Sequence, residues 1–448
     1  MSINVSQVIE QEPFGRLQLL VLVLISAAVI VDGFDIQMIA FVSPVLIEEW
    51  GISRSDLAPA ISAALAGMVL GAPIGGWLGD RFGRRLAAVL STFFFGITTL
   101  PVALADNITQ LALFRFVTGL GFGALLPNAT AMIAEWMPTR VRSYAISLMI
   151  IGVPVGGMIG AAASSFLIAA FGWQACFIVG GVLGLLLSGL LFFTLPESPK
   201  FLTINSKSGR AVVPLLNRAF GKGRFQQSAI YESGDGPKGS WSDIFSHKHL
   251  RVTIGIGIAF FASLLVFYGF ANWIPTILTS LGMPLNTALQ GAMLFNLFGL
   301  AGAVGVAALV SRLGSRTGLF LVLGAAVLAA IGVILAVTAA NTQVMAVFMA
   351  LSIAGALMAG LQVGLYSLAA GAYPTDCRST GVGFAAGIGR LGPIVSAYAG
   401  GLLLDLSNGN LLFFTAMILS LLLAALGVFL VNRHSPSAAT ERKAPALS

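Results

Sequence analysis

Residues 76–85 read Gly-Trp-Leu-Gly-Asp-Arg-Phe-Gly-Arg-Arg, a compact basic turn with a long apolar run on either side. A bilayer core is crossed by about 20 apolar residues in helical form, and the flanking runs, roughly 57–79 and 86–105, both reach that length. The same scan carried outward finds spans at roughly 17–46, 108–133, 144–169 and 173–195, then at 251–278, 287–310, 318–338, 343–369, 381–405 and 411–431. The expected fold class is therefore an all-α integral membrane protein, with 12 transmembrane helices in two groups of six.

Composition agrees. Of 448 residues 57% are hydrophobic and 9% charged, whereas soluble chains carry about 25% charged residues. The 53 glycines suit helices whose backbones approach closely in lipid. A net charge of +7 could point to nucleic acid, but its placement assigns it to membrane topology. With the N-terminus in the cytoplasm, and with Arg251 at the inner edge of its span counted with the central loop, 21 of the 24 Lys and Arg fall in inner segments, Arg54 falls outside, and Arg115 and Arg390 lie within spans. That asymmetry puts both termini on the cytoplasmic side of a bacterial inner membrane. Cys176 and Cys377 are far apart in the chain, so no disulfide is expected, and no His, Cys or carboxylate set has metal-ligand spacing. Residues 1–16 lack the pattern of a cleaved signal peptide.

A polar stretch between the two groups, with Gly-Lys-Gly-Arg and Gly-Asp-Gly-Pro punctuation, reads as a loop. The domains are then an N-terminal tail (1–13), a six-helix bundle (14–196), a central cytoplasmic loop (197–250), a second bundle (251–431) and a C-terminal tail (432–448). Ser-Arg-Leu-Gly-Ser-Arg at 311–316 repeats the basic turn at the matching place of the second half. Two pseudo-symmetric halves with a site near the midplane are a common transporter plan.

The motif at Gly76, Asp80, Arg81, Gly83, Arg84 and Arg85 resembles the loop signature of the major facilitator superfamily. Three further stretches resemble motifs of its sugar and organic-ion porters: Arg115 with Gly119, Gly121 and Gly123; Glu135-Trp136-Met137-Pro138 with Arg140 and Arg142; and Pro196-Glu197-Ser198-Pro199-Lys200. Gly152-Val153-Pro154-Val155-Gly156-Gly157 is similar to a hinge motif of exchangers, and reads equally as close packing. Asp32-Gly33-Phe34-Asp35 followed by Pro44 looks like the hallmark of the aromatic acid:proton symporter family. Asn272-Trp273-Ile274-Pro275-Thr276, Tyr373-Pro374-Thr375 with Arg378, and Gly387-Ile388-Gly389-Arg390-Leu391-Gly392 extend the match. The resemblance implies the major facilitator fold and a conformational latch at Gly76, Asp80, Arg81, Gly83, Arg84, Arg85, Glu135, Arg140, Arg142, Glu197 and Arg378. Ala372 departs from an acidic residue often found before the Tyr-Pro in related sequences, and Ser311 replaces the acidic residue of the second basic turn.

Independently of any family, Asp32, Asp35, Arg115 and Arg390 are the ionisable residues deepest in spans. Each costs about 2.5–3.5 kcal/mol at a helix centre on insertion scales, which argues for function. Asp32 and Asp35 share one helical face, and neighbouring carboxylates in low dielectric raise at least one pKa toward the range needed for proton exchange. Proton coupling is thus expected at Asp32, Asp35 and Arg115, with Arg115 paired to an Asp of the first helix; the alternative is that the pair only holds the bundle together. Arg390 has no acid in its own span, so its planar fork suits an arriving carboxylate, the alternative being an Asp across the cavity. Phe34, Trp273, Tyr366 and Phe384 are candidates for an apolar ring slot, with Asn272, Asn296 and Gln362 as polar readers; core packing and helix-to-helix hydrogen bonding are their plainer roles.

The leading reading is a secondary active transporter: proton-coupled uptake of a small aromatic carboxylate such as benzoate or hydroxybenzoate by alternating access. Its partners are that acid, protons and the lipid bilayer, with no nucleic acid, no metal, no cofactor beyond the proton gradient, and a monomer sufficient. The competing readings are a transporter of another organic anion or a sugar, an exporter, and a receptor for the same ligand. An enzyme is not expected, since no Ser, Cys or His has a convincing base partner in the sequence.

Overall fold

The computed structural model describes residues 2–205, 210–221, 225, 230–232, 241–338, 343–374 and 377–434. Thr375, Arg442, Lys443, much of the central loop and the tail beyond 434 lie outside the described residues. Twelve described helices are long and apolar enough to cross a membrane. They run Arg16–Trp50, Arg54–Phe82, Arg84–Leu104, Ile108–Trp136, Thr139–Phe171, Gln174–Thr194, Leu250–Ser280, Leu285–Leu313, Ser315–Thr338, Val344–Ala372, Thr380–Leu404 and Gly409–Leu430, and are called here the first to twelfth spans.

Local chemistry sets several of their ends. Asn107 caps the fourth span by accepting the Gln110 N–H at 3.0 Å. Gly83 and Gly314 open the third and ninth spans with φ of 101° and 83°, a region L residues rarely adopt. The duplicated basic turn is therefore duplicated in backbone conformation too. Two spans are broken internally: the fifth into Thr139–Ile150 and Gly152–Phe171, the eleventh into Arg378–Gly389 and Leu391–Leu404. Each break falls four residues before a proline, Pro154 and Pro393, whose missing N–H leaves the carbonyls of Ile150 and Gly389 without their helical donor.

The chain forms two compact units, residues 1–36, 66–156 and 174–236 in one, and 37–65, 157–173 and 237–448 in the other. The boundaries cut across the first, second and fifth spans. In the first unit the second and fourth spans touch backbone to backbone: a Cβ on Gly67, Gly71 or Gly75 would fall 2.2, 2.1 or 2.3 Å from atoms of the fourth span. Close small-residue packing of this kind replaces the hydrophobic driving force that lipid removes.

The same unit holds an element that the loop-and-tail reading missed. Strand Ser2–Asn4 pairs in parallel with Ile230–Glu232, followed at once by helix Val5–Gln11. Val5 and Ile9 pack with Val212, Val213, Leu216 and Tyr231 in a small apolar core. The chain's start is thus folded onto the segment between the two groups of spans. Glu10 accepts hydrogen bonds from the Thr139 hydroxyl and N–H, joining this element to the start of the fifth span.

In the second unit, three contacts tie residues 37–65 and 157–173 to the later spans. Asn296 donates to Gln37 Oε1 at 3.0 Å. Ser165 and Asn286 hydroxyl and amide oxygens meet at 2.8 Å. Asp405 accepts the Ser55 N–H at 2.7 Å and the Arg54 N–H at 3.2 Å, while Arg54 Nη1 donates to the Leu404 carbonyl at 2.6 Å. Asp405 therefore caps the start of the second span from a distant loop, satisfying N–H groups that a helix leaves open.

Candidate functional site

The first span brings Asp32, Phe34 and Asp35 into the interior of the first unit, where they are 2%, 4% and 0% exposed. Gly33 makes this possible, since a Cβ there would sit 2.3 Å from the Val153 carbonyl oxygen. Arg115, on the fourth span, is fully buried and its Nη1 lies 3.7 Å from Asp35 Oδ1. Thr99 donates its hydroxyl to Asp35 Oδ2 at 2.7 Å. The guanidinium also donates to the carbonyls of Asp35 and Ile36, both at 3.3 Å, and sits over the Phe177 ring at 5.9 Å. Arg115 is thus held by two backbone oxygens as well as by the Asp35 carboxylate. Phe34 is buried, and its backbone nitrogen would lie 2.5 Å from a Cβ on Gly156 of the fifth span.

The residues of the basic motif gather at the other end of this unit. Arg84 donates to Asp80 at 2.5 Å and its Nε is 3.4 Å from Glu135. Ser198 donates to Glu135, and Glu197 accepts the Arg85 N–H at 3.0 Å. The turn, the end of the fourth span and the segment after the sixth are thereby linked in one chain. Burial pushes the Glu197 carboxyl above its ordinary value, against the backbone N–H groups of Arg85 and Ser198 that favour the charge. A Cβ on Gly83 would strike the Glu197 carboxylate at 2.2 Å, which gives that glycine a second reason beside its φ. Gly76 is open, with nothing within 4 Å of its Cβ position. Arg81 lies over Phe82, Arg140 reaches the Glu12 carbonyl, Arg142 the Met137 carbonyl, and Arg378 is exposed at the start of the eleventh span.

In the second unit Arg390 occupies the break of the eleventh span and is half-buried. Its neighbours Gly389 and Gly392 press on the seventh span: Cβ atoms there would fall 2.7 Å from Leu264 and 2.2 Å from the Phe261 carbonyl. Among the described residues no carboxylate lies within ion-pair distance of the Arg390 guanidinium. Tyr366, on the tenth span, is 39% exposed and stands edge-on to Phe260 at 4.9 Å. One turn before Tyr366, Gln362 has buried Nε2 and Oε1 atoms with no hydrogen-bond partner among the described residues. Arg390, Tyr366 and Gln362 therefore offer a cation, a ring and an unsatisfied amide.

The remaining predicted residues are placed elsewhere. Asn296 spends its amide on Gln37 and the Ala292 carbonyl. Trp273 is fully buried against Gly400. Asn272 is buried, and its Nδ2 has no hydrogen-bond partner among the described residues. Phe384 packs edge-on to Phe245, 5.2 Å away. Sequence reasoning missed Thr99, Gln37 and Asp405; for Thr99 and Gln37 the signal available was a polar residue in an apolar run.

With this geometry in view, the family can be stated. The Major Facilitator Superfamily profile matches residues 25–386, and the chain belongs to that family: it is a membrane transporter and not an enzyme. Among its relatives are the 4-hydroxybenzoate transporter PcaK of Acinetobacter baylyi, 35% identical over 98% of this chain and 96% of that one, and the gallate transporter of Pseudomonas putida, 33% identical over 98% and 97%. The benzoate transport protein of Acinetobacter baylyi is 27% identical over 96% and 93%. Among solved structures, the xylose transporter XylE from Escherichia coli has a TM-score of 0.72 at 16% identity, covering 92% of this chain and 97% of its own; the likeness is one of fold.

Proposed function

We propose that this protein imports a small aromatic carboxylate together with protons, by alternating access, across a bacterial inner membrane with both termini in the cytoplasm. The observation that carries the reading is the Asp35 carboxylate, fully buried beside Arg115. Burial disfavours the charged form while the guanidinium favours it, so the balance shifts whenever the surroundings of the pair change. A conformational cycle that alters its solvation makes Asp35 take up a proton on one side and release it on the other. Asp32, one turn away on the same face, adds a second carboxylate whose charge opposes that of Asp35.

Arg390 receives the substrate carboxylate in this reading. Its planar fork matches a carboxylate in two parallel hydrogen bonds, Tyr366 offers an aromatic wall, and Gln362 a donor and acceptor for a ring hydroxyl. Relatives that carry 4-hydroxybenzoate, gallate and benzoate support this choice of substrate class. The test is uptake of a panel of radiolabelled aromatic acids into proteoliposomes under an imposed inward proton gradient, for wild type, Asp35→Asn and Arg390→Ala. Gradient-dependent accumulation that Asp35→Asn abolishes and Arg390→Ala weakens is expected; accumulation of a sugar or a cation, with no aromatic acid taken up, would overturn the substrate class and the role of Arg390.

A further inference from the structure

The second unit holds a cavity of about 450 Å³ lined by the end of the first span, Arg54, the end of the seventh span and the turn Gly282–Leu285, within the size range of small-molecule sites. It lies at the chain ends remote from the basic motif turns, which the proposed orientation makes the outer face. Val45, Ile47, Met283 and Leu285 supply apolar walls. Two features mark it as built for a ligand. Arg54 is the single basic residue left outside by the charge count of the sequence, and among the described residues no carboxylate lies within ion-pair distance of its guanidinium.

The second feature is Thr276. Threonines in helices commonly return their hydroxyl to the carbonyl one turn back, as Thr92, Thr130 and Thr279 do here. Thr276 is 3% exposed, lines the cavity, and its hydroxyl finds no partner among the described residues. A buried polar group left open in this way is costly unless something fills its hydrogen bond.

We propose that this cavity is a peripheral binding site for a small aromatic monocarboxylate, held by its carboxylate at Arg54 and by a polar ring substituent at Thr276. The ligand class rests on the transport reading above. Glu48 lines the same space, so a single negative charge is accepted at Arg54 and a dianion is repelled. Arg54 is also the residue whose Nη1 holds the Leu404 carbonyl. A carboxylate competing for that guanidinium draws on the contact between the second and eleventh spans, so capture at the surface favours opening there.

The test is equilibrium binding of radiolabelled 4-hydroxybenzoate to the purified full chain. Two molecules per wild-type chain are expected, one in Arg54→Gln, one in Arg390→Ala and none in the double variant. Thr276→Val, which keeps the side-chain shape, should weaken 4-hydroxybenzoate at the Arg390→Ala chain's remaining site about tenfold while leaving benzoate unchanged. A single site that survives Arg54→Gln and vanishes in Arg390→Ala overturns the peripheral site and leaves the transport reading standing. A site that vanishes with Arg54→Gln alone and ignores Arg390→Ala keeps the peripheral site and overturns the role of Arg390; no binding to wild type overturns both.

Discussion

Asp35 and Arg115 stand 3.7 Å apart with both side chains wholly buried, and the Arg115 guanidinium donates to two backbone carbonyls of the same helix that carries Asp35. The cation is therefore held by backbone oxygens as well as by its partner. This asymmetry predicts different outcomes for the two halves of the pair. Arg115→Ala leaves a buried carboxylate without its cation, and losing one partner of a buried pair costs about 3–5 kcal/mol; thermal unfolding in detergent should show a large drop in midpoint. Asp35→Asn keeps the Thr99 contact and the carbonyl anchors, and should melt closer to wild type.

Arg390→Lys is expected to transport with a raised KM and a smaller change in the maximal rate, because an ammonium cannot reproduce a two-bond contact with a planar carboxylate. Arg390→Ala should raise KM at least about tenfold, the loss of one charge-assisted contact. Initial-rate uptake across a range of acid concentrations reads both; equal KM in all three proteins would contradict the assignment.

Gly33→Ala should destabilise the protein by about 1–3 kcal/mol, since its Cβ would lie 2.3 Å from the Val153 oxygen and 2.6 Å from the Val153 Cα. Neither atom can rotate away as a side chain could. Gly76→Ala, with open space at its Cβ position, is the matched control and should melt like wild type.

The Asp405 cap carries a pH dependence. Burial pushes its carboxyl up, but the Ser55 side chain and the Ser55 and Arg54 N–H groups outweigh that and hold it below the ordinary carboxylate value. A depressed carboxylate pKa means stability that is present above the unfolded value and lost as pH falls through the folded one. The contact should thus hold at neutral pH and weaken only in strong acid. Asp405→Asn should loosen it at neutral pH, measured as faster reaction of an engineered Ser55→Cys with a membrane-impermeant maleimide.

How far the sequence foretold this structure varies residue by residue. The spans were readable because twenty apolar residues in a row have few other uses, and Asp35 and Arg115 were readable because charges in such runs are costly. Their partnership with Thr99 was not, since a threonine in an apolar helix more often bonds its own backbone. The small core of Val5, Ile9, Leu216 and Tyr231 escaped because its apolar residues are few, and its parallel strands pair across the whole first group of spans. Asp405 escaped for a similar reason: its partners Arg54 and Ser55 lie some 350 residues earlier in the chain. The breaks at Ile150 and Gly389 were legible in principle, each four residues before a proline.

The central claim is that the Asp35 carboxylate couples proton movement to transport. Its most direct test compares wild type and Asp35→Asn in proteoliposomes, measuring accumulation of radiolabelled 4-hydroxybenzoate under an inward proton gradient and its exchange with unlabelled acid at equal pH. The account predicts that wild type does both, while Asp35→Asn exchanges but does not accumulate. Gradient-driven accumulation by Asp35→Asn at the wild-type level would contradict it.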